Sequence, residues 1–500
     1  MSISVIYTRA SSGIDAPLIR VETHVHHGFP MFAIVGLPEA TVRESKERVR
    51  STLLNSHFDW PVARIIVNLA PADLPKEGGR FDLPIALGIL AASYQIPHDN
   101  LQEYEFAGEL GLAGEIQPIH GVLPFALATK QANRKLIIPK ENAHEAAFVN
   151  DLTIFPASHI MDVCQHLQSR EEITPFRPAF YSIPNRASQD FSEVRGQMHS
   201  KRALEIAAAG NHSILLIGPP GTGKTMLASR FSTILPPLED FEAIQTATVY
   251  SISNKGFNHT DWKKRPFRSP HHSASSVALV GGGNPPKPGE ISLAHHGILF
   301  LDELPEFSRH VLEALREPLE SGTITISRAA RQNEFPANFQ LIAAMNPCPC
   351  GYLGDPENNC RCTKEQISRY RLKISGPILD RIDMVAEVPR VSTELLTLKY
   401  NHASESSSEI RERVIIARKK SFERCGKTNN KLSNNELEKF AVVETEAETI
   451  LNQAMKKLKL SVRSYHRIIK IALTIADLDN SDTIKIKHIS EAINFKKNYF

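Results

Sequence analysis

The chain has 500 residues, of which 42% are hydrophobic and 23% charged, and its formal net charge is +3. This composition is ordinary for soluble globular protein of roughly three domains, and the near balance of charge excludes a global basic field that would attract polyanions. The longest apolar stretch, residues 81–96, contains Asp82 and Pro84 and is too short to span a bilayer. The first residues lack the pattern of a signal peptide, and six cysteines do not suggest a secreted disulfide framework, so we expect a cytoplasmic protein.

Residues 1–165 alternate between strand-like and helical stretches, and we expect them to form one domain. Apolar runs at residues 31–35 and 64–68 predict strands, and the charge-rich segment 38–54 predicts a helix. Glycines punctuate residues 108–116, a pattern that favours a hairpin.

Two segments of this domain, residues 74–82 and 114–121, resemble the N-terminal domain of magnesium-chelatase-related ATPases, which has the fold of the Lon protease domain. In Lon-type proteases the first segment carries a nucleophilic serine and the second leads to a lysine base. The matching positions are Arg80 and Leu123. Arginine cannot be acylated and leucine cannot take a proton, so we expect no peptidase activity. Assembly and DNA contact both remain open as roles for this domain.

Residues 166–192 contain Pro, Ser and Asn without a clear period, which predicts a linker. Residues 190–210 read as a helix that leads into the apolar run 214–217. That run precedes a glycine-rich octapeptide and then an apolar helical stretch, which is the strand–loop–helix context of a phosphate-binding loop.

The octapeptide is made of Gly218, Pro219, Pro220, Gly221, Thr222, Gly223, Lys224 and Thr225. Its glycines allow backbone N–H groups to turn towards phosphates, and the positive end of the following helix faces the same charge. We expect Lys224 to reach the β- and γ-phosphates and Thr225 to hold Mg²⁺. The sequence therefore predicts a nucleoside-triphosphate site.

A long insertion follows the helix after this loop. Residues 265–272 and 281–289 are too rich in Pro and Gly for core elements. One interpretation is a pore loop that places Arg265, Arg268 and Lys287 near the phosphates of a nucleic acid; the other is a solvated loop.

Residues 297–304 form an apolar run that ends in Asp302 and Glu303. This predicts a buried strand with two acids at its C-terminal end, where doubly wound sheets bind ligands. We expect Asp302 to complete the Mg²⁺ shell and Glu303 to orient the attacking water, since phosphoryl transfer depends on positioning and charge stabilisation.

Residues 322–331 alternate like a strand and turn at Arg328 to Arg331, which predicts a β-hairpin with a basic tip. The next strand, residues 339–345, ends at Asn346, whose amide is a candidate to hold the γ-phosphate or the water. Further on, Arg381 lies in a turn and is the preferred candidate for an arginine finger that reaches a neighbouring subunit. Arg369 and Arg371 are rival candidates.

Four cysteines are close together in the predicted loop 346–363: Cys348, Cys350, Cys360 and Cys362. Clustered thiolates in a reducing compartment favour a structural Zn²⁺ with four ligands. A metal-free loop remains the alternative, because the C-x-C spacing is less usual than C-x-x-C.

Three segments, residues 288–297, 346–351 and 375–383, resemble AAA+ ATPases with a hairpin before sensor 1, the branch that contains magnesium chelatase, and within it the ComM/YifB family. The resemblance implies an α/β AAA+ core at residues 193–395, a Lon-protease-like N-terminal domain and a C-terminal α-helical lid at residues 396–500. In the family, an arginine near the start of a lid helix contacts the nucleotide; Arg463 matches it, with Arg467 as second choice.

The resemblance further implies an ATPase that uses ATP and Mg²⁺, assembles as a homo-hexamer and acts on DNA, without a membrane partner. The implied function is branch migration during homologous recombination in natural transformation. A magnesium-chelatase-like motor subunit and a protein-remodelling AAA+ ATPase remain alternatives. The basic tip formed by Arg328 and Arg331 favours phosphates over protein. Residues 410–424 form a basic amphipathic stretch that faces either DNA or solvent.

Overall fold

The computed structural model describes residues 2–177, 189–328, 331–391, 405–458 and 460–496. They form an N-terminal α+β unit, a central unit built on a parallel sheet and a C-terminal bundle of helices. Within these residues, no helix has both the length and the apolar character needed to cross a bilayer. The parallel α/β core and the helical C-terminus confirm the predicted fold class.

A mixed sheet organises the N-terminal unit. The strands of this unit are β1 (Ser2–Arg9), β2 (Leu18–His26), β3 (Met31–Val35), β4 (Arg64–Ala70), β5 (Tyr104–Phe106), β6 (Glu109–Leu110), β7 (Ile116–Gln117), β8 (Lys135–Pro139) and β9 (Ile154–Ala157). Seven of them pair in the order β3-β4-β2-β1-β5-β8-β9, and β6 and β7 form the predicted hairpin. The helices are α1 (Ala40–Asn55), α2 (Asp82–Ala92), α3 (Val122–Gln131), α4 (Ala143–Ala146) and α5 (Ile160–Leu167). Every residue of α2 is buried, because this helix is apolar on all sides.

The central unit contains β10 (Ile214–Ile217), β11 (Phe267–Arg268), β12 (Gly281–Gly282), β13 (Lys287–Pro288), β14 (Ile298–Leu301), β15 (Thr323–Arg328), β16 (Arg331–Pro336), β17 (Gln340–Met345) and β18 (Met384–Glu387). Five of these strands form one parallel sheet in the order β11-β14-β17-β10-β18. All residues of β10, β14 and β17 are buried, as expected for a parallel sheet covered on both faces. Their carboxyl ends therefore meet at one edge, where the predicted nucleotide residues follow.

Helices cover this sheet: α6 (Met198–Gly210), α7 (Lys224–Ile234), α8 (Asp240–Ser251), α9 (Ser276–Val280), α10 (Glu290–Leu293), α11 (Arg309–Glu313), α12 (Arg316–Ser321), α13 (Lys364–Leu372) and α14 (Gly376–Leu379). Two predicted helices were too long. The helix expected from residue 190 begins at Met198, after a 3₁₀ turn at Phe191–Glu193 and a left-handed Gly196. The helical pattern of residues 307–320 predicts one helix, but that helix is broken after Glu313, because Pro318 cannot donate to the carbonyl four residues earlier and clashes with it.

The C-terminal bundle consists of α15 (Ser407–Cys425), α16 (Asn434–Phe440), α17 (Thr445–Leu458), α18 (Val462–Leu478) and α19 (Ile486–Asn494). Serine is a preferred residue at the start of a helix, and Ser461 caps α18: its hydroxyl accepts a hydrogen bond from the backbone N–H of Ser464. Apolar side chains of α15 and α18 share one core with α6 and α7, so the bundle packs on the back of the parallel sheet.

The N-terminal unit packs against the central unit through α3 and α8. The backbone N–H of Gly121 donates to the Ser251 carbonyl at 3.1 Å, and that of Leu123 donates to the Ser251 hydroxyl at 3.3 Å. The predicted domain limits stay predictions: α5 ends at Leu167, residues 178–188 of the expected linker lie outside the described residues, and so do residues 392–404 around the expected lid boundary.

Candidate functional site

The phosphate-binding loop joins the end of β10 to the start of α7, as the sequence predicts. Gly221 and Gly223 have φ angles of +77° and +83°, a left-handed conformation that a side chain would strain. Gly223 caps α7, so the free N–H groups of the first helical turn point into the loop. Such N–H groups form a site for phosphate.

Lys224 lies folded onto this loop and reaches the neighbouring strand. Its Nζ donates to the carbonyls of Gly218 and Pro219, at 2.7 and 2.9 Å, and to Asn346 Oδ1 at 3.1 Å. Burial lowers the pKa of Lys224, while Asp302 and Glu303 act in the opposite direction. The structure thus brings Lys224 and Asn346 together, and phosphate oxygens can replace the two carbonyls as acceptors for the ammonium group.

Thr225, in the first turn of α7, lies next to Asp302, which directly follows β14. The Thr225 hydroxyl donates to Asp302 Oδ2 at 2.6 Å. A hydroxyl and a carboxylate at one point are hard oxygen donors of the kind that Mg²⁺ prefers beside a phosphate. These two residues therefore fit Mg²⁺, and Asp302 also accepts from the Glu303 backbone N–H at 2.9 Å.

Glu303 has a strained backbone, with φ +53° and ψ 48°. A non-glycine residue in this region costs about 1 kcal/mol or more, and such strain clusters at functional sites. Its carboxylate is 56% exposed, and His272 Nδ1 lies 3.4 Å from Oε2. Sequence reasoning missed His272; the pair His271-His272 in a Pro-rich segment was its only signal.

The predicted arginines fall at two different ends of the parallel sheet. Arg369 lines a cleft with Glu303 and Asn346, and Arg371 lines a cavity with Gly218. Both rival candidates for the arginine finger therefore lie at the end of the sheet that carries this chain's own phosphate loop.

Arg381 lies at the opposite end, where the Ser213 hydroxyl donates to its carbonyl at 2.7 Å just before β10 begins. Its side chain is 13% exposed, donates to the Pro377 carbonyl at 2.7 Å and pairs with Glu320. Arg463 and Arg467 lie in the same cavity of about 630 Å³.

Acidic side chains hold these two lid arginines. Arg463 lies 3.8 Å from Asp380, and Arg467 lies 3.5 Å from Asp383. Burial by itself would raise the pKa of Asp383, but His212 and Arg467 outweigh it and hold the pKa at about 2. The cavity is thus lined by several cations and by Asp383, whose carboxyl stays ionised.

The candidate DNA-binding residues differ in accessibility. Arg265 is not on an exposed pore loop: its guanidinium is 10% exposed, pairs with Glu242 at 3.0 Å and donates to the carbonyls of Pro236 and His296, both at 2.7 Å. The prediction for Arg265 was wrong because these partners come from distant segments that sequence proximity does not reveal.

The remaining basic candidates lie on three hairpin or strand elements. Arg268 forms a two-point ion pair with Glu290, at 2.5 and 2.7 Å. Lys287 is exposed on β13, where its Nζ donates to Asn254 Oδ1 at 2.5 Å. Arg328 and Arg331 are the last paired residues of the hairpin β15–β16, and residues 329–330 between them lie outside the described residues.

The four cysteines converge. Their Sγ atoms all lie within 4.8 Å of one another, and Cys348, Cys350 and Cys360 are separated by 3.4, 3.6 and 3.7 Å. Tetrahedral zinc with bonds of about 2.3 Å places its sulfurs about 3.8 Å apart, so the cluster fits this metal.

The cysteine loop also contacts the phosphate loop. A Cβ at Gly351 would lie 2.6 Å from the Pro220 ring, so this approach requires glycine. Residues 353–356 and Gly218 line one cavity of about 310 Å³. Arg390, on its far wall, pairs with Asp355 at 3.0 Å and fixes the loop. The cysteine loop is therefore one wall of the nucleotide region.

The strand order, the phosphate loop and the paired acids define a protein of the AAA+ class with magnesium-chelatase-type domains. Family models described as "Subunit ChlI of Mg-chelatase", "Magnesium chelatase, subunit ChlI" and "Magnesium chelatase, subunit ChlI C-terminal" match residues 21–142, 190–396 and 404–496.

The chain is 50% identical to the competence protein ComM of Haemophilus influenzae over 500 residues, covering 99% of this chain and 98% of the relative. It is 47% identical to YifB of Escherichia coli over 497 residues, covering 99% and 97%. Similarity to the magnesium-chelatase subunit ChlI of Trieres chinensis is lower, 22% over 46% of this chain and 70% of the relative. The chain belongs to the ComM/YifB family of magnesium-chelatase-related AAA+ proteins.

Proposed function

We propose that this chain is a ring-forming ATPase that moves on DNA and promotes branch migration during homologous recombination in natural transformation. The observation that carries the motor is the placement of Arg381 and Arg463 at the end of the sheet opposite to the chain's own phosphate loop. The name of the relative ComM and its identity over the full chain support the competence-related role.

Hydrolysis is assigned to the edge of the sheet where β10, β14 and β17 end. Lys224 and the loop N–H groups bind the phosphates, and Asn346 fixes the Lys224 ammonium or the γ-phosphate. Thr225 and Asp302 would hold Mg²⁺, which supplies charge neutralisation at the phosphates when bound. Glu303 orients and polarises the attacking water.

The site is incomplete without a second subunit. β10 spans four residues, and at about 3.3 Å per residue it separates Ser213, beside Arg381, from the phosphate loop by roughly 13 Å. The Arg381 side chain starts beside Ser213 and is bound to the Pro377 carbonyl and to Glu320, so it does not reach the phosphate loop of its own chain. Arg381, with Arg463 or Arg467, therefore serves the γ-phosphate of a neighbouring subunit. A head-to-tail interface of this kind closes into a ring, for which the family resemblance gives a hexamer.

DNA is the substrate that the two basic hairpins fit best. The hairpin β15–β16 ends in Arg328 and Arg331, and the shorter hairpin β12–β13 exposes Lys287. Paired cationic tips bind a phosphate backbone without reading its sequence. Movement of these hairpins with the hydrolysis cycle would move the strand through the ring.

A structural Zn²⁺ at Cys348, Cys350, Cys360 and Cys362 completes the proposed cofactors. The convergence of the four Sγ atoms supports it, and the close approach of Gly351 to Pro220 means that the metal would also shape the nucleotide pocket. All six cysteines lie within the described residues and none of them is disulfide-bonded, which supports a cytoplasmic location.

A chelatase-like motor subunit is the second candidate, favoured by the family models that match all three parts of the chain. Against it, the ChlI relative of Trieres chinensis aligns with 46% of this chain. A protein-remodelling ATPase is a third, to which no specific observation points.

The test is an ATP-dependent branch-migration assay on labelled three-stranded and four-stranded DNA junctions. We expect conversion of both junctions with ATP and Mg²⁺, and none with Lys224→Ala protein. Hydrolysis of ATP without any conversion, over a range of junctions and protein concentrations, would count against the DNA motor. Assays of Mg²⁺ insertion into a porphyrin and of protein unfolding would then decide between the alternatives.

A further inference from the structure

Asp383 lies where the arginine cavity meets the start of the parallel sheet. Its Oδ2 accepts from the backbone N–H of Ser213 at 3.1 Å, and its own backbone N–H donates to the Ser213 hydroxyl at 2.9 Å. That hydroxyl donates in turn to the Arg381 carbonyl at 2.7 Å. Ser213 directly precedes β10, the strand that leads to the phosphate loop. The carboxylate of Asp383 is therefore fixed to the sheet and not to the lid.

The other oxygen of this carboxylate faces an arginine of the lid. Oδ1 lies 3.5 Å from Nε of Arg467 on α18, and the two side chains are 17% and 15% exposed. The contact is an ion pair shielded from most of the solvent, so its attraction is screened less than that of a surface pair. Asp383 thus joins a lid arginine to the residue at the start of β10.

The cavity gathers like charges that need such a partner. Four cations line it: Arg381, Arg463, Arg467 and Lys470. Burial lowers the pKa of Arg467, Asp383 opposes this, and the charges of Arg463 and Arg381 lower the pKa further. Arg463 is held loosely, because its side chain is 57% exposed and its partner Asp380, 3.8 Å away, is 61% exposed. Asp383 is the shielded acid that offsets the repulsion on Arg467.

We propose that Asp383 is a positioning residue that acts on the neighbouring subunit's reaction by holding Arg467 where the neighbour's γ-phosphate arrives. Charge that is fixed in place before the reaction stabilises the transferring phosphoryl group without reorganisation. The constraint is Coulombic and needs no hydrogen bond between the two side chains. The inference rests on the ring of the proposed function, but not on DNA as its substrate.

The first experiment measures ATPase kcat and KM for the full-length protein without DNA. Asp383→Asn keeps an oxygen that can accept from the Ser213 N–H but removes the charge that faces Arg467. We expect kcat to fall roughly a hundredfold, as for a misplaced catalytic group, with little change in KM because the variant's own phosphate loop is intact. Arg467→Gln breaks the same ion pair from the lid. Because Asp383 acts through Arg467, the double variant should be no slower than Arg467→Gln alone.

Subunit mixing shows on which active site Asp383 acts. Mixed with Lys224→Ala at equal concentration, Asp383→Asn should regain about a quarter of the wild-type rate, because about one interface in four combines two intact halves. Mixed with Arg381→Ala it should regain nothing, because both changes damage the same end of the sheet. Size-exclusion chromatography of the mixtures follows ring assembly.

A matched acid outside the cavity serves as the control. Asp479 also connects the helical bundle to the central unit, with Oδ1 3.7 Å from Nη2 of Arg202 on α6. Asp479→Asn should keep the wild-type kcat. Thermal melting checks every variant, and Asp383→Ser, which removes the same charge with a smaller side chain, replaces Asp383→Asn if the latter is unfolded.

The outcomes separate this inference from the proposed function. A wild-type kcat in Asp383→Asn would overturn the inference. Recovery with Arg381→Ala but not with Lys224→Ala would also overturn it, because Asp383 would then support the phosphate loop of its own subunit. If Arg381→Ala mixed with Lys224→Ala recovers and Asp383→Asn mixed with Lys224→Ala does not, only the inference fails. If neither mixture recovers although rings form, the shared active site of the proposed function fails as well.

Discussion

Subunit mixing tests the assignment of Arg381 to a neighbouring active site. Lys224→Ala removes the phosphate contact within a subunit, and Arg381→Ala removes the proposed contact across the interface. Each variant alone should lose hydrolysis, roughly a thousandfold or more for an arginine finger. Mixed together, the two variants should regain activity, because an Arg381→Ala subunit has an intact phosphate loop and a Lys224→Ala subunit has an intact arginine.

The expected recovery follows from the geometry. Arg381 and the phosphate loop lie at opposite ends of β10, so each interface combines the loop of one subunit with the arginine of the next. With random assembly at equal concentrations, about one interface in four pairs two intact halves, so the mixture should approach about a quarter of the wild-type rate. Ring assembly is followed in the same samples by size-exclusion chromatography.

A matched mixture controls for nonspecific rescue. Asn346→Ala and Lys224→Ala both damage the same end of the sheet, so no interface in their mixture is intact and no recovery is expected. The reasoning is refuted if the Arg381→Ala mixture stays as inactive as its parents while it forms rings, or if Arg381→Ala alone retains the wild-type rate.

Three further predictions follow from the cysteine loop, the N-terminal core and the basic residues. Cys360→Ser should lower the zinc content from about one per chain and weaken ATP binding, because the cysteine loop forms one wall of the nucleotide region. Metal analysis and nucleotide titration measure the two effects. Loss of zinc with an unchanged affinity for ATP would contradict the proposed link between the metal and the nucleotide pocket. In the N-terminal core, the buried Arg9 pairs with the buried Glu105, with Nε 2.6 Å from Oε2. Glu105→Ala should therefore cost about 3 kcal/mol in the free energy of unfolding, because Arg9 would be left buried without a charged partner. Denaturant titration of the full chain measures this, and a loss under about 1 kcal/mol would count against it. Arg265→Ala should also destabilise the fold by about 3 kcal/mol and leave the salt slope of DNA binding unchanged, whereas Lys287→Ala should lower that slope by about one and leave stability intact. Melting curves and binding titrations at several salt concentrations distinguish the two residues, and the reverse pattern would refute the assignment.

The parts of the fold that follow local rules were predictable from the sequence. The strands β10 and β14 were predicted from four-residue apolar runs with a glycine on one side, because strands buried on both faces are continuously hydrophobic. Ser461 is a typical helix-capping residue and marks the start of α18 in the sequence. The break before α12 was missed, although Pro318 carries its physical cause.

The arrangement of charges could not be read in the same way. Arg265 looked like a residue of an exposed loop, but its partner Glu242 is on α8 and its other acceptors are backbone carbonyls. The contact between His272 and Glu303 arises because β11 and β14 are neighbours in the sheet, which the chain order does not reveal. Separation of Arg381 from the phosphate loop likewise depends on the direction of β10.

The most direct test of the DNA motor is the steady-state ATPase rate with and without single-stranded and branched DNA, at two salt concentrations. The account predicts a stimulation that weakens as salt rises, because phosphate contacts release counterions. The stimulation should disappear when Arg328→Ala and Arg331→Ala are combined, since the hairpin tip that they form is the proposed DNA contact. A rate that is indifferent to every form of DNA at both salt concentrations would contradict the central claim and favour a protein or porphyrin substrate.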